Sequence, residues 1–261
     1  MPTFTYAKPA TVADAVRAAA QEDAKLIAGG QTLLQSIKLG LIAPSAVIDL
    51  GGIAELQGIT VGGGKVTIGA GTTHAAVAAS KEVRAAIPAL ADLAGHIGDR
   101  QVRNRGTIGG SLANNDPAAC YPAAVLGLGA TVHTNQRSIA ADDFFLGVYS
   151  TALGEGEIIT AVGFPIPEKA GWQKFKQPAS RFAIVGVFVS KGPAGVRVAV
   201  TGAGAAGVFR AKALETRLAA NWSAAALAGA TVTADELNTD LHASAEYRAA
   251  LIPVLTARAI H

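Results

Sequence analysis

The chain has 261 residues, half of them apolar and 16% charged, with 30 glycines and a formal charge of +3. That balance fits a globular protein with a substantial core and excludes a disordered chain. The basic residues are scattered, so the pI near 9.1 reflects a small excess and predicts no nucleic-acid partner.

Thr3-Phe4-Thr5-Tyr6 alternates as a short strand, and Pro9 ends it. Thr11 caps a predicted helix over Val12–Gln21, where Val12, Ala15, Val16 and Ala19 share a face. Lys25-Leu26-Ile27-Ala28 reads as a buried strand running into Gly29-Gly30, followed by a helix over Leu33–Leu39 and a strand over Ala46–Leu50. Leu56–Val61 and Lys65–Ala70 form a hairpin about Gly62–Gly64. Helices are expected from Thr72 or Thr73 toward Ala79 and over Pro88–Ala94. His96 to Gly106 reads as irregular and leads into Thr107-Ile108-Gly109-Gly110-Ser111-Leu112-Ala113-Asn114-Asn115-Asp116, read as a loop. Then come a short apolar helix over Pro122–Gly127, strands over Ala130–Thr134 and Ile158–Phe164, and between them a helical turn from Asp142.

Pro165-Ile166-Pro167 is the best linker candidate. Beyond it, strands are expected over Gly171–Gln177, Phe182–Lys191 and Val196–Gly202. A helix over Ala211–Ala220 places Leu214 and Leu218 inward, with Lys212, Glu215 and Thr216 mostly outward. Thr233–Leu237 is a short predicted helix, and Ser244–Ile260 a longer one that Pro253 kinks or divides. The boundaries drawn are 1–52, 53–167 and 172–261. No apolar run reaches the ~18–20 residues a membrane helix needs. The N-terminus lacks a basic-then-apolar leader plan, so the expected location is the cytoplasm.

Two glycine-pair stretches carry the chemical signal. Bare N–H groups beside Gly29-Gly30 and Gly109-Gly110 would make anion sites suited to phosphate. Two such sites suggest a diphosphate and hence a dinucleotide. The competing reading of the first is a simple turn, and of the second a tight turn with an Asx cap at Asp116-Pro117. Thr107 and Ser111 can bond phosphate or ribose, and Asn114 and Asp116 can bond sugar hydroxyls. His74, His133, His242 and His261 are isolated and lack metal-ligand spacing. The single cysteine, Cys120, cannot by itself supply the four ligands an iron–sulfur cluster normally takes.

Ala28-Gly29-Gly30-Gln31-Thr32-Leu33-Leu34, then Gln101 to Ala119, then Phe175-Lys176-Gln177-Pro178-Ala179-Ser180-Arg181 follow one another in a familiar order. With Val196–Gly204 and Arg210–Glu215, they resemble the FAD-binding medium subunit of the molybdenum hydroxylases, the xanthine dehydrogenase and aerobic carbon monoxide dehydrogenase family. The resemblance implies an α+β fold: two α/β FAD-binding subdomains of the vanillyl-alcohol-oxidase (PCMH) type, then a small α+β C-terminal domain. It implies non-covalent FAD. The molybdenum cofactor and [2Fe–2S] clusters would sit on a large and a small partner, in a dimer of heterotrimers that passes electrons to a terminal acceptor.

Carried over by position, Leu26, Ile27, Ala28, Gly29, Gly30, Gln31, Thr32 and Leu33 would wrap the pyrophosphate. Thr107, Gly109, Gly110 and Ser111 would hold the phosphates or ribityl chain from the other side, with Asn114 and Asp116 beside them. His96 and Ile97 would lie near the isoalloxazine, Ile159 would contact its ring system, and Lys176 would approach its polar edge. A surface lysine is the alternative for Lys176. Cys120 stands where family members often carry a cofactor-anchoring aspartate, a contact that Asp116 or Asn115 would have to replace. As a thiol it is either a reactive group or an inert core residue. No metal ligand and no acid–base catalytic residue is expected on this chain. The rival reading is a self-contained FAD-dependent reductase of the same fold type.

Overall fold

The computed structural model describes residues 3–260. Met1, Pro2 and His261 lie outside the described residues, and with them the readings made of His261 and of the first leader positions. The chain forms three larger sheets in succession, each packed against helices, and a two-stranded ribbon of Phe145–Gly147 and Ser150–Thr151.

The first sheet is parallel, with Ala46–Asp49 between Thr5–Ala7 and Lys25–Ile27. Parallel neighbours need crossover connections. The helices Val12–Ala19, capped by Thr11, and Leu33–Lys38 provide them. Val12, Ala15, Ala46, Ile48, Ile53, Leu56 and Ile158 form its small core.

The second sheet is antiparallel, in the order Ile59–Gly62, Lys65–Gly69, Ile159–Pro165, Thr131–Thr134, Ser138–Ala140. The helices between its strands are short because capping residues break the run. Thr73 caps His74–Ala79, Ser80 caps Lys81–Ala86 and Asp99 caps Arg100–Arg105. The last of these corrects the reading of residues 96–106 as irregular. Thr107 to Asp116 is likewise corrected: Thr107 caps a helix, Ile108–Asn114, with Ile108, Gly109 and Leu112 buried, rather than opening a loop.

The third sheet is an antiparallel meander of Lys169–Lys176, Ala183–Gly192 and Gly195–Thr201, with Phe209–Arg210 at its edge. All eight residues from Ala183 to Ser190 are buried, so this strand is covered on both faces. Val185, Val187 and Val189 meet Leu214, Leu218, Ile252 and Leu255 on one side. Phe188 and Ser190 face the helix Tyr121–Leu128, where Ser190 Oγ donates to the Gly127 carbonyl at 2.6 Å. That helix has eight buried residues and no polar face, as required of an element held between layers. Burying each of its larger side chains contributes ~1.5–3 kcal/mol.

Three further expectations change here. Residues 233–237 form a turn rather than a helix, and Leu237 makes an isolated bridge with Gly204. Glu215 faces inward, because Arg210 and the Val198 N–H supply partners for a buried carboxylate. Pro253 lies inside the helix Ala245–Ala259, which continues through it.

Candidate cofactor cleft

A cavity of about 960 Å³ opens between the first and second sheets and reaches the start of the third. That volume lies near the upper end of ligand pockets, ~300–1,000 Å³. Its walls include Leu26 through Leu33 on one side. Thr107, Gly109, Gly110, Ser111, Asn114, Asp116 and Cys120 line the other, with Ile97 and Ile159 between. Residues far apart in sequence are thus gathered as expected. His96 and Lys176 are not among the lining residues.

The two glycine pairs do different jobs. Around Gly109-Gly110 the N–H groups are already engaged. Ile108 donates to Thr72 O, Gly109 to Ala70 O at 2.8 Å, Gly110 to Thr107 Oγ1 and Ser111 to Thr107 O. The expected backbone anion cradle is therefore absent there. Gly109 serves close packing instead, since a Cβ would stand 2.6 Å from the Ala70 Cβ. What this helix offers the cavity is side chains, above all the Ser111 hydroxyl and the Asn114 amide, for which no protein partner appears among the described residues.

Around Gly29-Gly30 the reverse holds. Among the described residues, the N–H groups from Gly29 to Leu34 have no protein acceptor, and every residue from Gly29 to Leu33 lines the cavity. Gly30 adopts φ +70°, which turns the chain from the strand into the helix. Gly29 presses against the end of the helix Arg100–Arg105, and an added Cβ would lie 2.1 Å from the Arg105 carbonyl oxygen. Unsatisfied N–H groups beside a large cavity fit an anionic ligand. Lys8, Lys25, Arg105, Lys174 and Arg181 add positive charge to the walls. Of the lining carboxylates, Glu157 is spent on Arg137, Thr134 and the Gly154 N–H. Arg137's hydrogen bonds are the main reason its carboxyl is held down at about 2.

Asn115 does not replace the missing aspartate. It is buried at φ 43°, with its amide donating to the Gly147 and Ser150 carbonyls at 2.8 Å each. Asp116 accepts from the Ala118 N–H and the Tyr149 hydroxyl. Cys120 is buried, and burial raises its thiol pKa against the opposing pull of Lys174. It is thus a buried, neutral thiol at the cavity wall. Lys174 donates to its Sγ at 3.2 Å and to the His96 carbonyl at 3.0 Å. Lys176 lies two residues on, past a bulge opposite Ile184, and is exposed.

Sequence reasoning also missed His74. It is buried, lines the cavity, packs on Tyr121 and leaves Nδ1 without a partner. Burial, with Arg103 nearby, lowers its pKa to about 4, so the ring is neutral near pH ~7. Its position at the start of a capped helix gave no functional signal.

Residues 2–167 match the family described as "FAD binding domain in molybdopterin dehydrogenase". The chain belongs to the FAD-binding medium subunits of the molybdenum hydroxylases. This medium subunit is 37% identical to the nicotine 6-hydroxylase medium subunit of Paenarthrobacter nicotinovorans, over 100% of this chain and 97% of the relative. It is 34% identical to the carbon monoxide dehydrogenase medium chain of Hydrogenophaga pseudoflava, over 100% and 96%. Its fold matches a chain of that organism's carbon monoxide dehydrogenase with a TM-score of 0.89 and 35% identity, covering 99% and 96%. It matches quinoline 2-oxidoreductase from Pseudomonas putida 86 with a TM-score of 0.86 and 30% identity, covering 99% and 96%. The medium subunit is accordingly an FAD-binding oxidoreductase subunit of mixed helix and sheet. No helix among the described residues is long and apolar enough to cross a membrane.

Proposed function

We propose that the medium subunit holds FAD across this cleft. Its pyrophosphate would lie against the open N–H row of Gly29–Leu33, its ribityl or ribose hydroxyls would meet Ser111 and Asn114, and its ring would lie toward Ile97, Ile159 and Lys174. The observation that carries this reading is that N–H row, without acceptors among the described residues and lining the same cavity as Ser111. Bound flavin supplies redox chemistry that exchanges electrons singly or in pairs; the chain supplies binding, orientation and charge.

In this reading the subunit takes electrons from [2Fe–2S] clusters on a small partner, which receives them from a molybdenum cofactor on a large partner. It passes them to a terminal acceptor, within a cytoplasmic dimer of heterotrimers. Having one cysteine supports the division, because cluster ligands must come from elsewhere. We read the three sheets as three domains, 1–52, 53–167 and 172–261. Affinity purification from the native host tests the assignment. Co-elution of iron- and molybdenum-bearing chains with a flavin spectrum is expected. Elution of a lone flavoprotein would support the self-contained reductase instead.

A further inference from the structure

Lys174 belongs to the third sheet yet reaches the cavity wall. Its ammonium has three donors. One meets the His96 carbonyl and one the Cys120 Sγ, so among the described residues the third has no protein acceptor. Among the described residues no carboxylate pairs with it, in contrast to Lys191 and Lys212 of the same sheet and its helix. The atom that would most naturally neutralise it is Cys120 Sγ, at 3.2 Å. A carboxylate there would form an ion pair, whereas a thiol is a weak, uncharged acceptor. Cys120 is 4% exposed, and the desolvation that accompanies such burial keeps it protonated. The position therefore fixes the ammonium in space and leaves its charge available to whatever fills the cavity.

We propose that Cys120 is a positioning residue that holds the Lys174 ammonium in the cofactor cleft without neutralising it, so that Lys174 raises the reduction potential of the bound flavin. A cation beside the ring favours the negative charge that reduction adds. The inference rests on FAD occupying this cleft. It concerns Lys174 and Cys120 as a pair, not Lys176, which carries the same charge outside the cavity.

The test is an anaerobic redox titration of FAD bound to the full chain, with FAD affinity measured in parallel. Lys174→Met and Cys120→Asp should both lower the midpoint potential, the second by turning a neutral contact into an ion pair. Cys120→Ser and Lys174→Arg should stay close to the parent value. The double variant Cys120→Ala/Lys174→Met should fall no further than Lys174→Met alone, because Cys120 acts only through the Lys174 charge. Should Cys120→Asp misfold, Lys174→Met and Cys120→Ser still decide the matter. An unchanged potential in Lys174→Met with FAD bound overturns the inference alone. Failure of the parent chain to bind FAD overturns the cleft assignment and the inference together.

Discussion

Gly29→Ala should damage the cleft more than any other single methyl group. A Cβ at this position would lie 2.1 Å from the Arg105 carbonyl oxygen, 2.6 Å from its carbon and 2.7 Å from Gly106 Cα. All three are backbone atoms, so no rotamer change relieves the contact. Reaching an ordinary separation requires the Gly29-Gly30 turn and the end of the helix Arg100–Arg105 to part by about 1 Å, and overpacking of this kind costs ~1–3 kcal/mol. The turn presents the open N–H row, while Arg105 leads into Thr107 and Ser111. The displacement therefore widens the cleft between its two walls. A loss of that size from the binding energy weakens FAD affinity at least about fivefold and up to ~100-fold. Fluorescence titration of apo-protein with FAD, beside urea unfolding of the apo-protein, separates the binding loss from the stability loss. Gly62→Ala is the control, because nothing lies within 4 Å of its would-be Cβ. Unchanged FAD affinity and stability in Gly29→Ala would refute the close approach of these two segments.

Asn115→Ala removes the amide that serves two part-buried carbonyls and forces alanine to φ 43°, and should cost ~2–4 kcal/mol in urea unfolding. Asn115→Gly should recover about 1 kcal/mol of that, the backbone share. Glu157 is held at about 2, below its ordinary 4.5, chiefly by the Arg137 hydrogen bonds, so its contribution is complete above the ordinary value and fades as pH falls toward 2. The full shift corresponds to about 3 kcal/mol, and because Arg137 is half exposed ~1–2 kcal/mol is the expected stability gap between parent and Glu157→Gln near pH ~7. That gap should close between about pH 4.5 and pH 2; one that widened on acidification would contradict the assignment. The lone thiol, Cys120, should react with a thiol reagent far more slowly in the native chain than in urea, and more slowly again with FAD bound. Labelling at the unfolded rate would show that the buried thiol–ammonium contact is absent.

Local chemistry made much of this fold legible. Thr11 announced one helix start and Thr72 or Thr73 another, which the structure places at Thr11 and Thr73, and the strands expected over Lys25–Ala28 and Ala46–Leu50 form as Lys25–Ile27 and Ala46–Asp49. The helix Arg100–Arg105 escaped notice because a single valine among polar residues leaves no periodic stripe. Its cap, Asp99, was the available signal. The glycine pair at Gly109 looked like a phosphate loop because composition alone does not reveal that the Ala70 carbonyl and Thr107 Oγ1 take its N–H groups. Only the tertiary fold distinguishes it from the pair at Gly29. Glu215 reads as a surface residue until Arg210, from the edge strand, comes to meet it. Lys174 and Lys176 are equivalent in sequence, and only the position of the strand against Cys120 and His96 separates them.

Equilibrium titration of the apo-chain with FAD, with the Gly29→Ala variant alongside, decides whether this cleft binds FAD. Saturable binding of one FAD per chain is expected, with a visible flavin spectrum retained after gel filtration and weakened retention in the variant. A chain that shows no saturable FAD binding, or a Gly29→Ala variant that retains FAD as firmly as the parent, would contradict it.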